Sequence, residues 1–315
     1  DLFKKAIALD SNFTLALAEL GSAYSERYGF GLEISWLDSA VAVSKKAIAL
    51  DGNSPEAYNA LANCYYYRGI YDKALEGYRK AAELNPNYFS AVANIGATYS
   101  SEGRFDEALP WLKKAVTLAP TDPIPAQIGY VYMRLGDFDE AERWLMKAIE
   151  LQPDYRYANV VLANVYLLQN RNQQANEQIK KVVASNLDDP RVLDDAGTVA
   201  ENTGNISLAK EYYERSMKAN SSFETDPTTI SGIELGHILL KGGKQNVPGT
   251  PYGEARKLLN LARTLQRKQI EKGDASFRPL HHLAAISAIE GSKKEANVLL
   301  QKAIDAGLMN YYHVQ

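Results

Sequence analysis

The chain has 315 residues, of which 46% are hydrophobic and 23% are charged, and its formal net charge is −3. This length is large for one compact domain, and a pI near 5.9 supplies no basic field for a phosphate backbone, which excludes a typical nucleic-acid-binding protein. No apolar run is long enough to cross a bilayer, and nothing at the start resembles a signal peptide. The single cysteine, Cys64, excludes an internal disulfide and a multi-thiolate metal site.

Residues 1–13 are predicted to form half of a helix pair. Their apolar residues suit the second helix of a unit whose first helix precedes residue 1, so we expect the chain to be a fragment; these residues are Leu2, Phe3, Ala6, Ile7 and Leu9. The first complete pair is predicted at 14–54. It carries an insertion between its helices, because Gly21 and Ala40 are 19 positions apart where the regular units have 12.

Residues 55–88 show the pattern that the rest of the chain repeats. Apolar residues three and four positions apart mark one face of a first helix, namely Tyr58, Leu61, Ala62 and Tyr65. Gly69 interrupts this pattern, and a second stripe with Ala74 and Tyr78 follows before Pro86, which cannot continue a helix. The unit is therefore predicted to be a helix, a turn and a helix, in which small residues let the two backbones approach closely.

The same signature returns at a nearly constant spacing. The small residue of the first helix recurs every 33 or 34 positions, at Ala62, Gly96, Gly129, Ala163 and Gly197. Further pairs are therefore predicted at 89–121, 122–155, 156–189 and 190–222, followed by 229–275 with a second insertion and by 277–310. A lone pair cannot bury both of its stripes, so the pairs are predicted to stack into one all-α solenoid over residues 1–315, with about eight helix pairs and the leading half-repeat.

These motifs resemble the tetratricopeptide repeat (TPR) family over essentially the whole chain. The resemblance implies a right-handed α-helical superhelix that acts as a scaffold for other proteins. The last segment, from Glu295 to Tyr312, looks more loosely like the closing repeat of bacterial modules joined to nucleotide cyclases, protein kinases or transcriptional regulators. That second resemblance implies a bacterial sensory or docking arm with catalytic domains upstream.

The concave face of the first helices is the predicted binding site. Its positions are not needed for packing within a pair, so their residue types indicate what they bind. Asparagine can pair with the main chain of an extended peptide, and tyrosine and methionine offer adaptable apolar contact. The candidate peptide-binding residues are Asn59, Asn63, Tyr66, Tyr67, Tyr130, Met133, Arg134, Tyr157, Asn164, Arg191 and Asp194. The alternative is that these aromatic residues only cover a tight superhelix or pack against neighbouring repeats.

Catalytic and metal-binding patterns are weak in this sequence. His281 and His282 are adjacent, hence about 100° apart on a helix and poorly placed to share one ion, and His237 is isolated. No nucleophile, base and acid arrangement is visible. We therefore expect no enzymatic activity, no cofactor and no metal site.

Three functions remain open. The first is a protein–protein interaction scaffold that takes a peptide or helix in the concave groove, and the second is a regulatory TPR module of a larger bacterial signalling enzyme. The third is self-assembly into a homo-oligomer, suggested by the apolar face of Leu2, Phe3 and Ile7. The expected partner is a protein or peptide, without nucleic acid or direct membrane insertion. The expected location is the cytoplasm, or the periplasm if a membrane segment precedes residue 1.

Overall fold

A computed structural model describes residues 2–29, 35–185, 189–219, 231–242, 251–271 and 277–306. Within these residues the chain forms 17 α-helices and no β-strand, so the predicted all-α class is confirmed. No helix in this part of the chain has the length and apolarity that crossing a membrane requires. Parts of the predicted segments 1–13, 14–54, 156–189, 190–222, 229–275 and 277–310 lie outside the described residues.

The helices follow one another along the described part of the chain. In chain order they are α1 Leu2–Leu9, α2 Thr14–Gly29, α3 Ser35–Leu50, α4 Pro55–Tyr67, α5 Tyr71–Leu84, α6 Phe89–Ser101, α7 Phe105–Leu118, α8 Pro125–Leu135, α9 Phe138–Leu151, α10 Arg156–Leu168, α11 Asn172–Ser185, α12 Pro190–Asn202, α13 Ile206–Ala219, α14 Ser231–Gly242, α15 Pro251–Glu271, α16 Phe277–Ile289 and α17 Lys293–Asp305. The bounds of the individual repeats stay a prediction.

The chain divides into two compact units between Leu135 and Gly136. The first unit contains α1 to α8, and the second contains α9 to α17. In the first unit α4 packs against α5 and α6 against α7, while in the second unit α12 packs against α13 and α16 against α17. Pairs of consecutive helices are therefore the building blocks of both units.

Local sequence signals explain where several helices begin. Ser54 precedes α4, and its Oγ atom accepts a hydrogen bond from the Ala57 N–H at 3.2 Å, while Pro55 takes the first helical position. Asp137 caps α9 in the same way, because its Oδ1 atom accepts from the Glu140 N–H at 3.2 Å. These caps satisfy N–H groups that have no partner inside the first turn of a helix.

The turn inside a pair requires a left-handed backbone conformation. Gly69 has a φ of 72° between α4 and α5, and Asn170 has a φ of 59° at the corresponding point between α10 and α11. After this residue the chain turns back, and Arg171 donates its N–H to the Tyr166 carbonyl at 2.8 Å. Asparagine tolerates this conformation better than most residues with a side chain, so the second turn forms without a glycine.

The repeated small residues lie where the second helix of a pair crosses the first. A Cβ atom on Gly96 would lie 2.7 Å from the Leu112 side chain, and one on Gly197 would lie 2.4 Å from the Tyr213 ring. Both distances are far below van der Waals contact. Leu112 and Tyr213 are themselves fully buried, so each pair depends on a small residue facing a large one.

The first helix is only partly covered by the rest of its unit. Ile7 packs against the buried cluster that contains Leu17 and Ala47, so it is not part of an uncovered apolar face. Leu2 and Leu9, in contrast, are 80% and 91% exposed. The apolar surface of α1 that remains open is therefore limited to its two ends and to Phe3.

Candidate peptide-binding face

Three asparagine side chains join two first helices in the first unit. Asn94 of α6 donates its Nδ2 group to Oδ1 of Asn59 at 3.1 Å and to Oδ1 of Asn63 at 3.3 Å, both on α4. The buried Tyr78 hydroxyl of α5 donates to the same Asn63 oxygen at 2.7 Å. Asn59 is only 4% exposed, so most of its surface is used inside the protein.

The same network leaves one group of Asn63 available. Its Oδ1 atom accepts two hydrogen bonds, which fills the acceptor capacity of an amide oxygen. Its Nδ2 group donates to no acceptor within the described part of the chain, and the residue is half-buried. The amide is therefore held in a fixed orientation while its N–H donors are not used by the protein.

Tyr66, Tyr67 and Tyr71 form an aromatic cluster where α4 ends and α5 begins. The Tyr66 and Tyr67 rings meet edge to face with their centroids 5.5 Å apart, and the Tyr71 ring lies 5.7 Å from Tyr66. The Tyr66 hydroxyl is 2.9 Å from Oγ of Ser101 on α6. Because Ser101 donates its proton to the Ala97 carbonyl at 3.0 Å, Tyr66 is the donor in this pair. The cluster and the asparagine network thus involve the same two first helices.

Tyr130 and Arg134 form a second pair on α8. Arg134 donates from Nη1 to the Tyr130 hydroxyl at 3.0 Å, and its guanidinium carbon lies 5.3 Å from the Phe105 ring centroid. Both residues are half-buried, whereas Met133 is only 9% exposed. Met133 therefore belongs to the packed interior of the first unit, and Tyr130 and Arg134 retain accessible surface.

Tyr157 and Asn164 lie on α10 of the second unit. Both are half-buried, and the ring centroids of Tyr157 and Tyr155 are 6.2 Å apart. Asn164 makes no side-chain hydrogen bond within the residues that the structure describes. Its amide is therefore available to a partner, although without the fixed orientation that Asn63 has.

Arg191 and Asp194 lie in the first turns of α12 among other charged groups. Nη2 of the exposed Arg191 is 2.9 Å from Oδ2 of Asp189, and Arg156 of α10 contacts Asp195. Burial raises the pKa of the Asp195 carboxyl to about 6, although the Arg156 guanidinium acts in the opposite direction. The two predicted residues are thus part of a larger charged group that joins α10 to α12.

Two surface pockets, one in each unit, involve other residues. In the first unit a pocket of about 610 Å³ lies between α4 and α5 and is lined by Tyr58, Leu61, Lys73 and Glu76 among others. In the second unit a pocket of about 600 Å³ is lined by residues that include Asn159, Tyr166 and Gln178. None of the predicted peptide-binding residues lines either of these two pockets.

Cys64 is a structural residue on α4. It is fully buried, and its Sγ atom donates to the Ala60 carbonyl at 3.2 Å. Burial raises the pKa of this thiol to about 12. Because the thiolate is the nucleophilic form, Cys64 is an inert packing residue.

Sequence reasoning missed Asn94 and a group of three residues in the second unit. Glu201 of α12 and Glu234 and His237 of α14 bring one possible ligand atom each to within 4.8 Å of the others. His237 is therefore not isolated, since a helix from another repeat supplies a carboxylate beside it. The sequence does indicate part of this group, because Glu234 and His237 are three positions apart and so lie on one face of a helix.

Consecutive helices form pairs, several pairs turn through a residue with a left-handed backbone, and a small residue of the first helix faces a large residue of the second. These features define a tetratricopeptide repeat protein, an all-α repeat solenoid. The chain belongs to the family of the cilia and flagella-associated protein 70 C-terminal domain, whose model matches residues 9–241. The resemblance to tetratricopeptide repeats is thereby confirmed. No curated protein matches the sequence.

Solved structures share this fold at low sequence identity. Yeast Tom70 is 15% identical over 88% of this chain and 57% of its own, with a TM-score of 0.60. A chain of the APC/C hetero-tetramer Cut9-Hcn1 is 15% identical over 96% of this chain and 51% of its own, with a TM-score of 0.59. TTC0263, a thermophilic TPR protein of Thermus thermophilus, is 24% identical over 59% of this chain and 98% of its own, with a TM-score of 0.50. At these identities the similarity concerns the fold alone.

Proposed function

We propose that this protein is a non-catalytic scaffold that binds a peptide or a short helix of another protein along α4 and α6. The observation that carries the proposal is the amide of Asn63, which Asn94 and Tyr78 hold in place by its oxygen. An amide fixed in this way loses little conformational entropy when it binds. Its N–H groups suit the main-chain carbonyls of a bound segment.

The aromatic cluster beside this amide supplies the apolar part of the same face. Tyr66 and Tyr67 are rigid side chains with both apolar surface and a hydroxyl, the combination that is enriched in protein interfaces. The Tyr66 hydroxyl is held by Ser101 on α6, so this ring is oriented before a partner binds. We infer that a side chain of the partner packs on the tyrosine rings while its main chain pairs with Asn63.

The partner is proposed to be a protein rather than a nucleic acid, in keeping with the net charge of −3. The family is named for a cilia and flagella-associated protein, which favours a partner from that organelle over the bacterial signalling context suggested by the last segment. The cytoplasm remains the proposed location. A regulatory role within a larger signalling enzyme stays a prediction from the sequence.

The peptide proposal predicts that Asn63→Asp weakens binding without unfolding the protein. The substitution keeps the oxygen that accepts from Tyr78 and Asn94 but removes the N–H donors. Peptides would be selected against the wild-type chain from a random display library, and their dissociation constants measured by fluorescence anisotropy. Loss of one hydrogen bond, about 1.4 kcal/mol, corresponds to about tenfold weaker binding.

Asn87→Asp is the matched control because it adds the same charge at an exposed turn between α5 and α6. It should bind the selected peptides as the wild type does. Circular dichroism would establish that both variants are folded. Equal affinity of the wild type and Asn63→Asp for every selected peptide would overturn the proposal, as would a library that yields no binder.

Self-association through α1 is a second candidate, favoured by the exposure of Leu2 and Leu9 at 80% and 91%. Two such helices from two copies would cover each other's apolar ends. We expect Leu2→Glu with Leu9→Glu to lower the molar mass measured by light scattering, whereas Leu168→Glu on α10, also an exposed leucine, should leave it unchanged. A wild-type chain that is monomeric at high concentration would exclude this candidate.

A further inference from the structure

Glu201, Glu234 and His237 converge between two helices of the second unit. Glu234 and His237 are three positions apart on α14 and so lie on one face of that helix. Glu201 approaches from the C-terminal end of α12, and its Oε1 atom is 3.9 Å from Nδ1 of His237. One oxygen or nitrogen atom of each residue lies within 4.8 Å of the other two.

Imidazole nitrogen and carboxylate oxygen are the ligands that Zn²⁺ and related divalent ions bind in proteins. Ligand atoms at about 2.1 Å from a tetrahedral Zn²⁺ stand roughly 3.4 Å apart. The three side chains therefore need to close by little more than an ångström. All three side chains are half-buried, so each keeps some accessible surface.

The charge around this group also suits a cation. Glu201, Glu234 and Asp194 contribute to the raised pKa of the Tyr213 hydroxyl, which is due first to burial. The same carboxylates that disfavour a negative charge on Tyr213 favour a positive ion nearby. A divalent ion would neutralise the repulsion between Glu201 and Glu234, which are brought close by different helices.

We propose that Glu201, Glu234 and His237 bind a divalent transition-metal ion, with Zn²⁺ the best match. The ion would tie α12 to α14, two helices separated in the chain by α13, and would stabilise the second unit. This site is separate from the peptide-binding face proposed on the first unit. The role proposed for the ion is structural, because its ligands come from two helices that it would hold together.

The test uses the full chain, freed of metal with a chelator and titrated with ZnCl₂ in a calorimeter. We expect one Zn²⁺ per chain and a higher melting temperature with the ion, since binding to the folded state alone stabilises it. His237→Ala and Glu234→Gln should each weaken binding by about tenfold or more and remove most of the thermal shift. Co²⁺ substituted for Zn²⁺ should give an absorption spectrum that changes in His237→Ala.

His281→Ala on α16 is the control, because it removes another half-buried histidine of the second unit. It should keep the affinity of the wild type. If His237→Ala and Glu234→Gln, shown to be folded by circular dichroism, bind Zn²⁺ as tightly as the wild type, the result is an adventitious ion only. That result would overturn the proposal, as would the absence of binding to the wild-type chain.

Discussion

Replacing Gly197 with alanine is expected to lower the free energy of unfolding by about 2 kcal/mol. The new Cβ atom would lie 2.4 Å from the Tyr213 ring, and this ring is 1% exposed and has no free direction in which to move. Overpacking of this kind costs about 3 kcal/mol, and the better helix propensity of alanine returns about 1 kcal/mol. Urea unfolding followed by circular dichroism would measure the difference.

Two other glycines provide a graded control for this prediction. A Cβ atom on Gly236 would lie 3.0 Å from the buried Leu259 side chain, a milder overlap than the one at Gly197, and one on Gly52 would lie 3.9 Å from the nearest atom. We expect Gly236→Ala and Gly52→Ala to remain within about 0.5 kcal/mol of the wild type. If Gly197→Ala is as stable as these two variants, the close contact of α12 with α13 is not what stabilises this pair.

Much of the fold could be predicted from the sequence because each repeat is specified by local signals. The spacing of Ala62, Gly96 and Gly197 follows from helix geometry and from the need for a small residue where two helices cross. The turn at Asn170 is harder to recognise, since asparagine marks many kinds of turn. The left-handed conformation of Asn170 is indicated only by its position, because it lies 34 residues after Gly136 and 34 residues before Gly204, which have the same conformation.

The candidate site could be predicted less completely, because its contacts run between repeats. The sequence indicates that Asn59 and Asn63 share a helix face, but their hydrogen bonds depend on where Asn94 of the next first helix lies. His237 shows the same difficulty, since its neighbour Glu201 comes from a different repeat. Such contacts depend on how repeats stack, and a period of 33 or 34 residues does not specify the side chains that meet.

Asn94→Leu is expected to destabilise the first unit by about 2 kcal/mol. Leucine is close to asparagine in size but donates no hydrogen bond, so Oδ1 of Asn59 would lose its partner at a position that is 4% exposed. An unsatisfied buried acceptor costs about 1 to 3 kcal/mol. Asn63 would lose one of two hydrogen bonds and keep the one from Tyr78. Reversal of either amide cannot compensate, because leucine offers neither a donor nor an acceptor.

The control is Asn87→Leu, an exposed position where only the backbone N–H is hydrogen-bonded, at 3.0 Å to Asn85. It should unfold within about 0.5 kcal/mol of the wild type. An unchanged unfolding midpoint in Asn94→Leu would mean that water satisfies the two amide oxygens as well as Asn94 does. In that case Asn94 would not be what orients Asn59 and Asn63, and the preorganised amide on which peptide binding is proposed to depend would rest on the hydrogen bond from Tyr78 alone.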